Sequence, residues 1–279
     1  MNKFRVMTWD ISPVESSKYS VDEYNNFCEQ RAGILVEQGA DIIVLTGFKD
    51  GYYTSKVLET LDTFGFKWIS RSDNKNGQIL IAVKESLFDG GVKFIPNVSI
   101  RKGCCSILST LVELKDGVNM EILGLKMDVG EDYLSNFDQR YKSFHDFFDS
   151  IIDCEDDEDY DEEDEENCVP LIHVICGDFA NYICMGSLNE YRSYGDYQGM
   201  PNVWYNLNEI YDFLAVRDYK MCDKESYGAC MPTHEVDGKT YPDDHIFVSG
   251  ADCKMCKVVE VNRDLSAHDM VIADIVVKG

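Results

Sequence analysis

Apolar and polar residues alternate from the first residues of the chain: Phe4, Val6 and Thr8 lead into Trp9, a period of two that predicts a strand. The period then lengthens. Tyr24, Phe27, Cys28, Ile34 and Leu35 recur at helical spacing, Ser20 stands where an N-cap would, and Glu23 completes a capping box. A helix is therefore predicted to begin after Ser20 and end near Gly39. Asp41-Ile42-Ile43-Val44-Leu45 follows as an unbroken apolar run, the pattern of a strand covered on both faces. Further strands are predicted at 78–83, 106–114, 120–127, 171–176, 246–249, 257–261 and 271–277, and a helix from about 136 to 152. Strands outnumber helices, which predicts a mixed, largely antiparallel pair of sheets flanked by a few helices.

Length and composition extend this to one layered domain over 1–279, since 279 residues at 44% hydrophobic content can bury a substantial core. Charge changes the picture at one place. Residues Glu155 to Glu166 read EDDEDYDEEDEE, eleven acids in twelve, and cannot bury apolar area against their own repulsion. The expectation is an extended, solvated, disordered insertion at about 154–168. As a solubilising loop it needs no partner; as a functional element it would dock a basic protein, mimic nucleic acid or lie in the chain's own groove. The formal net charge is −25, and the chain stays acidic outside the run. That argues against non-specific grip on a phosphate backbone, which Lys and Arg drive by releasing counterions, unless a local basic groove or divalent cations screen the site.

Eleven cysteines without a leading apolar segment predict a reducing, cytoplasmic setting. No run approaches the ~18 consecutive apolar residues of a membrane span. Cys253-Lys254-Met255-Cys256 is a C-x-x-C that Cys222 and Cys230 could complete into a zinc site; reduced core and loop thiols are the alternative. The tyrosines between Tyr191 and Tyr197 could stack bases, or pack their rings on the domain surface.

Four strings carry candidate chemistry: Met7-Thr8-Trp9-Asp10, Gly177-Asp178-Phe179, Asp244-His245-Ile246-Phe247-Val248-Ser249 and Ser266-Ala267-His268. In this order and spacing they resemble the loops of the endonuclease/exonuclease/phosphatase superfamily, the deoxyribonuclease I-like metal-dependent phosphoesterases. The resemblance spans nearly the whole chain apart from the acidic run. It implies a four-layer α/β sandwich, with two mixed, mainly antiparallel sheets packed face to face and helices outside. It also implies hydrolysis of a phosphoester, nucleic acid among the possible substrates, with Mg²⁺ or Mn²⁺ neutralising the phosphorus oxygens.

Carried over one residue at a time, the resemblance makes Asp178 the group that orients the attacking water, and His268 the contact to phosphate with Asp244 in support. Asp10 replaces an Asn of the family and keeps one oxygen ligand, so Asp10, Asp178 and Asp244 are the metal carboxylates that remain; a turn Asp is the plain alternative for Asp10 and for Asp178. Lys126 stands where the family has a phosphate-contacting His, and is either a point charge for phosphate or a solvent-facing strand lysine. His245 is expected to be a packing or surface residue of its strand. Three positions depart from the family: Gly47 for its metal-binding Glu, Ala180 for Asn and Ala267 for Asp. Ala267 is expected to leave His268 without its carboxylate partner, and metal binding is expected to be weak. The expectation is a phosphoester hydrolase by descent, impaired or inactive in this sequence as a natural pseudoenzyme or an inactivated variant. The alternative is a non-catalytic binding protein that keeps the groove and engages a basic partner through its acidic run.

Overall fold

A computed structural model describes residues 3–12, 19–48, 52–72, 79–87, 94–102, 105–113, 118–127, 147, 171–180, 207–236 and 238–277. The acidic run, the tyrosine stretch and, Phe147 excepted, the helix expected at 136–152 lie outside the described residues. The elements, in chain order, are β1 (Lys3–Asp10), α1 (Val21–Glu37), β2 (Ile42–Thr46), α2 (Tyr52–Thr63), β3 (Phe66–Arg71), β4 (Ile79–Lys84), β5 (Phe94–Lys102), β6 (Cys105–Glu113), β7 (Asn119–Met127) and β8 (Leu171–Asp178). They continue with α3 (Leu207–Ala215), β9 (Lys220–Met221), α4 (Cys222–Tyr227), β10 (His234–Val236), β11 (Lys239–Tyr241), β12 (Asp244–Ser249), β13 (Ala251–Val259) and β14 (Met270–Val277).

One sheet runs β13-β14-β1-β2-β4-β3 and the other β5-β6-β7-β8-β12-β9, with β10 and β11 as a separate hairpin. Each large sheet holds one parallel pair, β1 with β2 and β7 with β8; the other pairings are antiparallel. Because strand side chains alternate between faces, Phe4, Val6, Ile42, Val44 and Ile81 of the first sheet meet Met120, Ile122, Val174 and Ile246 of the second in one apolar core. The opposite face of the first sheet, with Met7, Trp9, Ile43 and Leu45, is covered by Phe27, Ala32 and Leu35 of α1 and Val57 and Leu61 of α2. The opposite face of the second, with Leu125, Ile175 and Phe247, is covered by Phe147, Phe179 and Leu214. These are the four layers that the resemblance implies.

The capping box forms as expected: Ser20 Oγ accepts from Glu23 N while the Glu23 carboxylate accepts from Ser20 N at 2.9 Å. The last strand pair departs from the expectation. β13 begins at Ala251, so the C-x-x-C lies within a strand, with a register shift between Cys253 and Met255. No helix among the described residues is long and apolar enough to cross a membrane.

Gly124 sets how closely the sheets approach. A Cβ there would meet Ile79 Cγ2 at 2.7 Å and Val44 Cγ1 at 3.0 Å, both on the facing sheet. Gly124→Val should therefore act as a wedge and cost about 1–3 kcal/mol, the usual penalty of overpacking. Urea unfolding measures this, and an unchanged midpoint would show that the two sheets have room to spare.

Candidate active site

On the inner faces the apolar residues give way, at one end of the sandwich, to polar ones. The alternation that places Phe4 and Val6 inside also places Thr8 and Asp10 inside, and β2 ends likewise in Thr46. In the second sheet the same rule delivers Lys126 from β7, Asp178 from β8 and Asp244 from β12. Strand register then lines these up, Lys126 opposite Asp178 and Asp178 opposite Asp244, while Asp10 pairs with Thr46 in the facing sheet. Lys126 thus points between the sheets rather than to solvent.

The Lys126 ammonium hydrogen-bonds to Asp10 Oδ2 and, at 3.0 Å, to Asp178 Oδ2. Asp10 also accepts from Thr46 Oγ1 at 2.8 Å and from Ser12 N at 2.9 Å. Burial pushes the Asp10 carboxyl up, but the charges of Lys126 and His268 and these hydrogen bonds outweigh it and hold the group well below the carboxylate range. Burial likewise disfavours the Lys126 cation, and Asp10 and Asp178 more than reverse this, so it stays charged.

His268 sits in the loop before β14. Ser266 Oγ fixes that loop by donating to Asp10 O at 2.9 Å and accepting from His268 N at 3.0 Å, and Trp9 Nε1 donates to His268 O at 3.0 Å. His268 Nδ1 donates to Asp244 Oδ2 at 2.7 Å. The expectation that Ala267 strips His268 of its partner is thus corrected: the carboxylate comes from β12, and Ala267 is exposed. Burial lowers the imidazole's affinity for a proton, but Asp244 and Asp10 more than compensate and push its pKa up to about 10. Burial raises Asp244 in turn, against the pull of His268.

Sequence reasoning missed a second His–Asp pair. His234 stacks on His268 with ring centroids 3.8 Å apart, and its Nδ1 bonds Asp243 Oδ2 at 2.6 Å. The hairpin of β10 and β11 brings 243 beside 234, and Thr233 Oγ1 accepts from both Asp243 N and Asp244 N. The turn dipeptide Asp237-Gly238 was a usable hairpin signal. His245 points to the other face of β12, buried, with Nε2 donating to Pro242 O at 2.8 Å and Nδ1 3.3 Å from Asp223 Oδ2.

Cys222, Cys230, Cys253 and Cys256 are free thiols that do not converge as a metal site. Among the described residues, the one group of three His, Cys, Asp or Glu whose ligand atoms come within 4.8 Å of one another is Asp178, Asp244 and His268. Cys230 instead donates to Met221 Sδ at 3.6 Å, and Cys253 to Cys222 O at 3.9 Å.

Gly47 and Ala180, two of the positions where the resemblance expects other residues, differ in kind. Gly47 has φ +66°, and a Cβ on it would meet Ser12 Oγ at 2.6 Å, Ser12 N at 2.8 Å and Asp10 Oδ1 at 2.9 Å. The Ser12 turn fills that space, and Arg31 of α1 holds it by donating to Ser12 O at 3.3 Å. Ala180 has φ +47°, a conformation Asn tolerates better than Ala, and its N–H donates to Asp178 Oδ1 at 2.8 Å.

The Asp178, Asp244 and His268 group is a possible metal site, yet the residues present do not fit a tightly held Mg²⁺ or Mn²⁺. Such ions need carboxylate oxygens. Both oxygens of Asp10 and both of Asp178 already accept hydrogen bonds, with Lys126 on each carboxylate. Asp244 Oδ1 is buried and has no partner among the described residues.

No protein-family profile and no curated protein sequence matches this chain. Solved structures do match. An endonuclease/exonuclease/phosphatase from Beutenbergia cavernae aligns at TM-score 0.65 and 14% identity, over 100% of this chain and 72% of that one. TDP2 from D. rerio, in complex with a single-strand DNA product, aligns at 0.61 and 12% over 99% of each chain. The human Nocturnin catalytic domain with bound sulfate aligns at 0.63 and 12%, over 99% of this chain and 94% of that one. The chain has the endonuclease/exonuclease/phosphatase fold. On its own geometry, the polar end of the sandwich, where Asp10, Lys126, Asp178, Asp244 and His268 meet, is the candidate active site.

Two outcomes test this geometry. Gly47→Glu should destabilise the protein by about 2 kcal/mol or more, since a left-handed backbone and the Ser12 turn both oppose a side chain there; a melting temperature equal to wild type would refute the packing. The His268 pKa is raised from 6.5 to about 10 and burial raises that of Asp244 to about 6, so above pH 6 their pairing is strongest near 6.5 and is lost as pH rises from there through about 10. Wild type should therefore lose its stability advantage over His268→Gln across that interval in melting curves recorded against pH.

Proposed function

We propose that this chain is a phosphoester hydrolase of the deoxyribonuclease I-like kind with impaired turnover. The observation that carries this reading is the His268–Asp244 pair facing an Asp178 carboxylate that Lys126 bridges to Asp10. Asp244 fixes the ring's orientation and keeps it protonated, so His268 Nε2–H contacts a phosphate oxygen or transfers a proton there. Asp178 orients the water, and Lys126 supplies a point charge beside the phosphate. Impairment follows from what is filled or missing: the Ser12 turn occupies the space at Gly47, and Ala180 and Ala267 bring no ligand. Mg²⁺ or Mn²⁺, when bound, would polarise the phosphoryl oxygens; weak binding is the expectation.

The single-strand DNA product held by D. rerio TDP2 makes a nucleic-acid phosphodiester a substrate to try first. One observation favours the alternative of a silent binding protein with a basic partner. Three carboxylates, Asp10, Asp178 and Asp244, face two cations, Lys126 and His268, so the site's own field does not attract a phosphate.

Cleavage of single-stranded DNA and of a nitrophenyl phosphodiester, with millimolar Mg²⁺ and without it, separates the two readings. A slow rate above buffer is expected, and His268→Gln should lower it by ~10²–10⁴ where the imidazole acts in the reaction. Complete absence of His268-dependent cleavage would favour the binding protein.

A further inference from the structure

The resemblance implies a divalent ion at the polar end of the sandwich, and the side chains there already hold a cation of their own. We propose that the Lys126 ammonium is the resident cation of this site. It takes the place of a divalent ion between Asp10 and Asp178, and its removal uncovers a divalent-cation site at those two carboxylates, beside Asp244.

Three observations support the substitution. Lys126 joins carboxylates of opposite sheets, Asp10 at the end of β1 and Asp178 at the end of β8, as a bridging ion would. Its side chain is 16% exposed and those of its partners 0% and 8%, so water competes little for the contacts. Finally, the oxygen that remains unpartnered among the described residues of this trio, Asp244 Oδ1, is buried next to the same cluster.

Charge decides between the two cations. With Lys126 present, a dication approaching Asp178 would enter beside an ammonium 3.0 Å from its ligand oxygen, and the repulsion opposes binding. Without Lys126, three carboxylates face one imidazolium, an excess of two negative charges that a single divalent ion neutralises. The closed space at Gly47 fits the same account, because a fourth carboxylate there would leave one ammonium insufficient. The inference rests on the phosphoesterase reading only for where an ion would sit, and its test reads metal binding and stability rather than turnover.

The experiment compares wild type, Lys126→Met and Lys126→Arg by thermal unfolding in chelator and in millimolar Mn²⁺, with Mn²⁺ uptake followed by electron paramagnetic resonance. Wild type and Lys126→Arg should bind Mn²⁺ no better than millimolar and shift in melting temperature by less than about 1 °C. Lys126→Met should melt lower in chelator, bind Mn²⁺ at least tenfold more tightly than wild type, and recover about 3 °C or more with the ion. Micromolar Mn²⁺ binding by wild type would overturn the proposal, as would a folded Lys126→Met whose melting temperature ignores Mn²⁺. If Lys126→Met folds only with Mn²⁺, the exchange of one cation for the other is demonstrated directly. If it folds in neither condition, the wild-type uptake decides: micromolar binding overturns the proposal and its absence upholds it.

Discussion

The Lys126 ammonium ties the end of one sheet to the end of the other, and the polar cluster depends on it. Asp10 lies fully buried at the tip of β1, where an ionised carboxylate without a partner would be very costly. Lys126, Thr46 Oγ1 and Ser12 N supply that partner set, so the charge persists inside the fold. Such an arrangement is a constraint more than a source of stability. A buried pair roughly breaks even against desolvation, whereas losing one member exposes the full cost of the other.

From this bridge the contacts spread outward in order. The Asp10 carbonyl accepts from Ser266 Oγ, which in turn positions His268, and Asp244 orients the imidazole from the far side. Thr233 holds the backbone of Asp243 and Asp244, and Asp243 holds His234 flat against His268. Each link is a hydrogen bond among largely buried groups, where a missing partner is expensive. The cluster therefore behaves as a unit, and the contribution of one side chain is not separable from its neighbours.

The departures at Gly47, Ala180 and Ala267 have different structural consequences. At 47 the Ser12 turn and a left-handed backbone leave no space for a side chain. At 180 the backbone has φ +47°, a conformation that Asn adopts more readily than Ala. At 267 the side chain is exposed while its carbonyl accepts from Glu235 N and from Arg263 Nη1. Only the first has been absorbed into the packing of the surrounding residues.

Sequence periodicity predicted two mixed sheets flanked by helices, and the resemblance implied their stacking in four layers. Alternation in β1, β7 and β8 names the inner residues without reference to any partner, because the pleat sends every second side chain to the same face. The strings around Asp10, Asp178, Asp244 and His268 were legible through their resemblance to the superfamily's loops, since each is a short stretch whose residues are contiguous in sequence. The helix at 52–63 and the strands at 66–71 and 94–102 were not read from the sequence and emerged only in the fold. What tertiary structure alone decided is who pairs with whom. Lys126 meets Asp10 across 116 residues and His268 meets Asp244 across 24, contacts set by strand register and by the distance between two sheets. A chain read in order contains neither quantity, which is why the lysine's direction, the imidazole's carboxylate and the filled space at Gly47 waited on the structure.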